Sequence, residues 1–115
     1  MTDPIVYVVQ KQMRFDDEIG ELVPRFDLEP AQRHGKIKYL LSPTASPFRP
    51  DNIIQDLHDK LCNFTKNDFL LLLGNPCLIG LSCAIAANYT DGDLKLLQWR
   101  GVEQDYITIE ANNLF

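Results

Sequence analysis

The stretch Asp68-Phe-Leu-Leu-Leu-Leu-Gly-Asn-Pro-Cys-Leu-Ile-Gly-Leu-Ser-Cys-Ala-Ile-Ala-Ala87 decides how this chain folds. Phe69 to Leu73 is a short apolar run stopped by Gly74, the pattern of a strand buried on both faces. Asn75 is a helix-capping residue type, and Pro76 suits a first helical position, where no amide hydrogen is needed. From Cys77 to Ala87 almost nothing is polar, which predicts a helix apolar all round and lying deep in the core. Gly80, Ala84 and Ala87 share a smooth flank, which predicts close packing of that flank on a sheet.

Working outward toward the N-terminus, Asp51 to Phe64 places Ile53, Ile54, Leu57, Leu61 and Phe64 on one side of an amphipathic helix. Before it, Ser42 to Pro50 holds three prolines, a stiff loop unable to enter a sheet interior. Lys36 to Leu41 alternates apolar and basic residues at strand period, with one wet face. Glu29 to Gly35 fits one or two helical turns. Ile5 to Gln12 and Glu21 to Leu28 are expected to pair as a β-hairpin with Asp16, Asp17 and Glu18 at its tip. Pro24 makes the second arm an edge. Beyond the apolar helix, Tyr89 to Gly92 turns the chain, and Leu94 to Arg100 and Tyr106 to Glu110 form a closing hairpin. The expected fold is a single α+β domain over residues 1–115. Its mixed sheet has about six strands in the order hairpin–β–α–β–α–hairpin, with two main helices packed on it. Strand 36–41, helix 51–64 and strand 69–73 make a parallel β-α-β unit.

The net charge of −5 argues against direct binding to bare nucleic acid, which needs a basic face. Cys62, Cys77 and Cys83 are odd in number and lack a short paired spacing, so a reducing, intracellular setting is expected. No basic segment leads into an apolar one at the N-terminus, and no run approaches the roughly 20 residues of a membrane span.

Each candidate site has a plain alternative. The Gly74-Asn75-Pro76 turn joins a strand to a helix, where anions bind, but it lacks both phosphate-loop patterns, and Pro76 removes a donor. A tight turn is the better reading. His58 and Cys62 are four apart on one helix, yet no second paired spacing completes a metal site, and no cofactor is expected. The acids Asp16, Asp17, Glu18 and Glu21 match no calcium loop and read as a solvated tip. Ser42, Thr44, Ser46 and Cys62, with His34 and His58, lie in no nucleophile motif. The Ser42–Pro50 loop stands out: Pro47, Phe48 and Arg49 either offer a pre-stiffened contact surface, or Phe48 turns inward to staple the next helix. Trp99 beside Arg100 is a second contact candidate, with a core position as its alternative.

The segments Gly20-Glu-Leu-Val-Pro-Arg-Phe-Asp-Leu-Glu-Pro-Ala31, Asn67 to Ala87, and Leu96-Leu-Gln-Trp99 resemble small uncharacterised proteins encoded by tailed bacteriophages, over most of the chain from Val6 onward. The resemblance brings no catalytic residue with it. It implies a bacterial host cytoplasm, or the virion, as the setting. The expectation that follows is a non-enzymatic protein that binds a host or phage protein, through Pro47, Phe48 and Arg49 and the acidic tip Asp16, Asp17 and Glu18. The alternatives are a self-assembling structural component and a small nucleotide- or phosphate-binding enzyme.

Overall fold

The computed structural model describes residues 3–115. Its elements are β1 (Ile5–Gln10), β2 (Met13–Asp16), β3 (Glu21–Pro24), α1 (Glu29–Gln32), β4 (Lys36–Leu41), α2 (Pro50–Leu61), β5 (Phe69–Leu71), α3 (Pro76–Tyr89), β6 (Leu94–Arg100) and β7 (Asp105–Ala111). Five strands form a mixed sheet in the order β4-β1-β5-β6-β7, parallel as far as β6 and closed by the antiparallel β6–β7 pair. The α+β class, the two main helices on the sheet and the C-terminal hairpin are as the residue pattern predicts.

The N-terminal hairpin is arranged differently from expectation. Ile5–Gln10 is not a hairpin arm but an interior strand, parallel to β4 on one side and β5 on the other. The hairpin is built from β2 and β3, which pair only with each other. The reason is burial: Val6 and Val8 join one apolar cluster while Tyr7 and Val9 join another, on opposite faces. A strand apolar on both faces needs layers above and below it, which an edge hairpin cannot supply. β4 and β5 are parallel as predicted, β5 ending at Leu71 rather than Leu73, and β1 lies between them.

Helices cover both faces. α2 and α3 pack on each other and on the face carrying Tyr7, Val9, Leu40 and Leu70. α1 lies on the other, where Ala31 meets Val6, Val8, Phe69, Leu71, Leu97 and Tyr106. Leu57, Leu61, Leu70 and Leu78 are wholly buried, each worth about 2 kcal/mol by transfer. α3 is less deeply set than its composition suggests. Leu78, Ser82, Ile85, Ala86 and Ala87 face inward, whereas Gly80 and Ala84 face outward with Pro76 and Cys77. The predicted Gly80–Ala84 flank therefore does not press on the sheet: a Cβ on Gly80 would meet nothing within 4 Å. The larger side chains, which release more free energy on burial, take the inward positions.

At the amino edge, the buried Asp68 carboxylate accepts the Ile5 amide at 2.9 Å and the Thr65 amide at 2.9 Å. It holds the starts of β1 and β5 level. Gly35 completes that edge, since a Cβ there would sit 2.5 Å from the Pro4 carbonyl oxygen. The chain leaves β1 through the hairpin and α1 to reach β4, then returns over the opposite face through α2 to β5. The carboxyl ends of β1 and β5 therefore flank a topological switch point, where sheets of this kind open a crevice.

Candidate functional site

Gln10 is the last residue of β1 and only 4% exposed. Its Nε2 donates to the carbonyls of Ser42 and Ala45, both at 3.1 Å, and its Oε1 accepts the Asn75 amide at 3.0 Å. One carboxamide thus ties the loop after β4 to the turn after β5 and fills the switch-point crevice. Gly74 makes room for it: φ is +130° there, and a Cβ would stand 2.6 Å from the Gln10 Cβ. Two of the donors a phosphate would use are engaged and one is missing: the Asn75 amide goes to Gln10, the Cys77 amide is capped by Asn75 Oδ1 at 2.8 Å, and Pro76 has none. The tight-turn reading of Gly74-Asn75-Pro76 fits this geometry.

The braced loop presents Phe48. Its side chain is 90% exposed, so it does not staple α2; the inward alternative is excluded by position. Ser46 Oγ accepts the Phe48 amide at 3.2 Å, and Ser42 and Thr44 share a hydroxyl contact at 3.2 Å. Pro47 and Arg49 flank the ring, and Arg49 opens α2 as its N-terminal boundary residue. Asp17 and Glu18 are exposed at the tip between β2 and β3, while Asp16 Oδ1 accepts the Glu18 amide at 2.9 Å. No hydrogen bond or ion pair among the described residues joins this tip to the Phe48 loop.

A second gap lies beside the filled one. β5 ends at Leu71, whereas β6 runs on to Arg100, and the two pair only at Leu70–Leu96 and Leu71–Leu97. Past that point they diverge around a cleft of about 550 Å³, walled by Arg25, Phe26, Leu73, Gln98, Trp99 and Tyr106. Trp99 meets Tyr106 edge-on at 5.0 Å between ring centroids, and burial pushes the Tyr106 hydroxyl pKa up. Trp99 remains 39% exposed and Phe26 45%, so the core reading of Trp99 gives way to a rim position. At the hairpin's end, Arg100 grips Asp105 with two hydrogen bonds of 2.9 and 2.8 Å. That grip holds the Asp105 pKa below its ordinary value and raises that of Arg100.

The remaining chemistry-bearing residues serve packing. His58 Nδ1 lies 2.9 Å from the Tyr89 hydroxyl, tying α2 to α3, and the Cys62 thiol donates to the Asp59 carbonyl. His34 Nε2 lies 3.1 Å from the Tyr106 carbonyl, with its ring edge-on to Phe69. Cys62 and Cys77 are exposed; Cys83 is half-buried, and burial raises its pKa. As a sequence feature Gln10 is inconspicuous; the signal that could find it is a glutamine closing the run Ile5-Val-Tyr-Val-Val9, with a glycine after a later buried strand. Among the described residues, no helix is long and apolar enough to cross a membrane.

A family model, Phage Pam3 gp32-like protein, matches residues 4–113, and the chain belongs to that phage protein family. No curated protein and no solved structure matches it.

Proposed function

For a member of this phage family, we propose a non-enzymatic binding role: the chain engages a protein of the host or of the phage, in the host cytoplasm, and modulates it during infection. Phe48 is the anchor. The observation that carries this reading is a phenylalanine 90% exposed on a loop whose carbonyls are held by the buried Gln10. An apolar ring held out on flexible chain loses entropy when it docks, whereas one on a braced, proline-bearing loop loses less. Pro47 and Arg49 complete the contact, with arginine supplying the cation that interface centres favour. The acidic tip at Asp16, Asp17 and Glu18 adds a charged approach surface for a basic partner region.

The test is affinity capture from host lysate with nuclease present, comparing the native chain with a Phe48→Ala, Arg49→Ala double variant. The expected result is one stoichiometric host or phage protein retained by the native chain and lost by the variant, at unchanged melting temperature. Equal capture by a folded variant would remove the loop from the interface.

A further inference from the structure

We propose that the open gap between β5 and β6 binds a single planar nitrogen heterocycle of the nucleobase class, as a free nucleoside or mononucleotide. This site is separate from the Phe48 loop and does not depend on the partner reading.

Three features of the gap converge on that ligand. The first is its walls. Phe26 arrives from the segment after β3 and Trp99 from β6, and both expose ring surface although they border a cleft whose apolar side includes Leu71, Leu73 and Leu97. Two rings from separate elements, half-open to solvent, suit a ligand with π-faces, since stacking on an aromatic is strong and tolerant of which base is present.

The second is a polar edge inside the same gap. Gln98, Trp99 and Arg100 pair with Ile107, Tyr106 and Asp105 of β7, but among the described residues no strand pairs with them on the β5 side. Alternate residues of a strand direct their amide and carbonyl to opposite neighbours, so part of this main chain faces the cleft. Gln98 and Gln104 line it as well. A flat heterocycle carries donors and acceptors in its plane and π-surface above and below. It can therefore meet a strand edge and aromatic walls together.

The third is size and charge. About 550 Å³ lies within the range of small-molecule sites, and the gap sits at the carboxyl ends of parallel strands, where such sites gather. Arg25 lines the cleft with its guanidinium 5.7 Å from the Phe26 ring, a cation beside the stacking wall for a phosphate, while the other charged residue of the lining, Asp27, accepts the Glu29 amide through Oδ1. Arg100 is already engaged by Asp105. The overall charge of −5 favours one nucleotide over a strand of many phosphates.

Trp99 is the only tryptophan in the chain, so its fluorescence reports on this cleft. The experiment titrates the full chain with the four ribonucleosides and their 5′-monophosphates, with ribose 5-phosphate, inorganic phosphate and a short single-stranded oligonucleotide alongside. The expected result is saturable quenching by at least one nucleoside and tighter binding of its monophosphate. Phe26→Ala and the volume-keeping Phe26→Leu should each weaken the nucleoside by about tenfold through lost stacking. Arg25→Ala should reduce only the monophosphate's advantage, and Phe48→Ala should change nothing. No saturable quenching at millimolar nucleoside would overturn the proposal. So would equal binding of ribose 5-phosphate, unaltered affinity in both Phe26 variants, or an oligonucleotide binding more tightly than every mononucleotide.

Discussion

Two gaps lie side by side at the carboxyl ends of the parallel strands, and they are finished in opposite ways. Between β1 and β5 the Gln10 carboxamide is buried, bonded to the loop on one side and the turn on the other, with a glycine cleared to admit it. Between β5 and β6 the early end of β5 leaves a strand edge without a neighbour, under two half-exposed aromatic rings. The first gap has its polar groups satisfied within the protein, so it acts as architecture. The second keeps main-chain groups and ring faces free of strand partners, which is the condition for taking a ligand. The switch point alone therefore does not leave an open gap; what fills it decides that.

Three changes test this contrast, in falling order of effect. Gln10→Leu keeps much of the volume but strands the Asn75 amide and the loop carbonyls, and should cost about 3 kcal/mol in urea unfolding. A cost under about 1 kcal/mol would mean the loop and turn hold without their brace. Gly74→Ala forces a Cβ against Gln10 at a φ of +130° and should cost about 2 kcal/mol. Combined with Gln10→Gly, that cost should shrink, because the Cβ that stands 2.6 Å away is gone; strict additivity would place the strain elsewhere.

The smallest effect belongs to the lip of the open gap. Asp105 is held below its ordinary pKa by Arg100, so its contribution to stability is complete above the unfolded carboxylate value and fades as pH falls through the folded one. Arg100 is exposed and Asp105 half-buried at the surface, where solvent screens the pair, so the change should be slight. Carboxyl chemical shifts of Asp105 should titrate below those of an ordinary aspartate, and Arg100→Gln should return them to normal. An unshifted titration in the native chain would mean the grip does not persist in solution.

Much of the fold was legible because periodicity reports burial directly. The run Phe69 to Leu71, the helix bearing Ile53, Leu57 and Leu61, and the hairpin from Leu94 onward each declare their faces residue by residue. The position of β1 was not declared. Its Val- and Ile-rich run suits any strand, and only competition for two-sided burial moves it from a hairpin to the interior. The same limit applied to α3, where an all-apolar sequence does not say which flank is outside; contact with α2 and the sheet turned Gly80 and Ala84 to solvent. Of the candidate contacts, Phe48 was visible as an apolar ring in a proline loop, while its outward direction was not. The cleft at Trp99 could not be read at all, since it arises from unequal lengths of strands paired 26 residues apart, Leu71 against Leu97.

The sequence by itself determined most of the strands and helices, β2 at Met13–Asp16 excepted, that they form a mixed α+β fold, and that a stiff loop carries Phe48, because these follow from local periodicity, turn chemistry and charge. Only the tertiary structure decided strand order, the filling of one gap by Gln10 and the opening of the next. Those outcomes depend on which distant segments compete for the same buried space, and no local pattern records that competition.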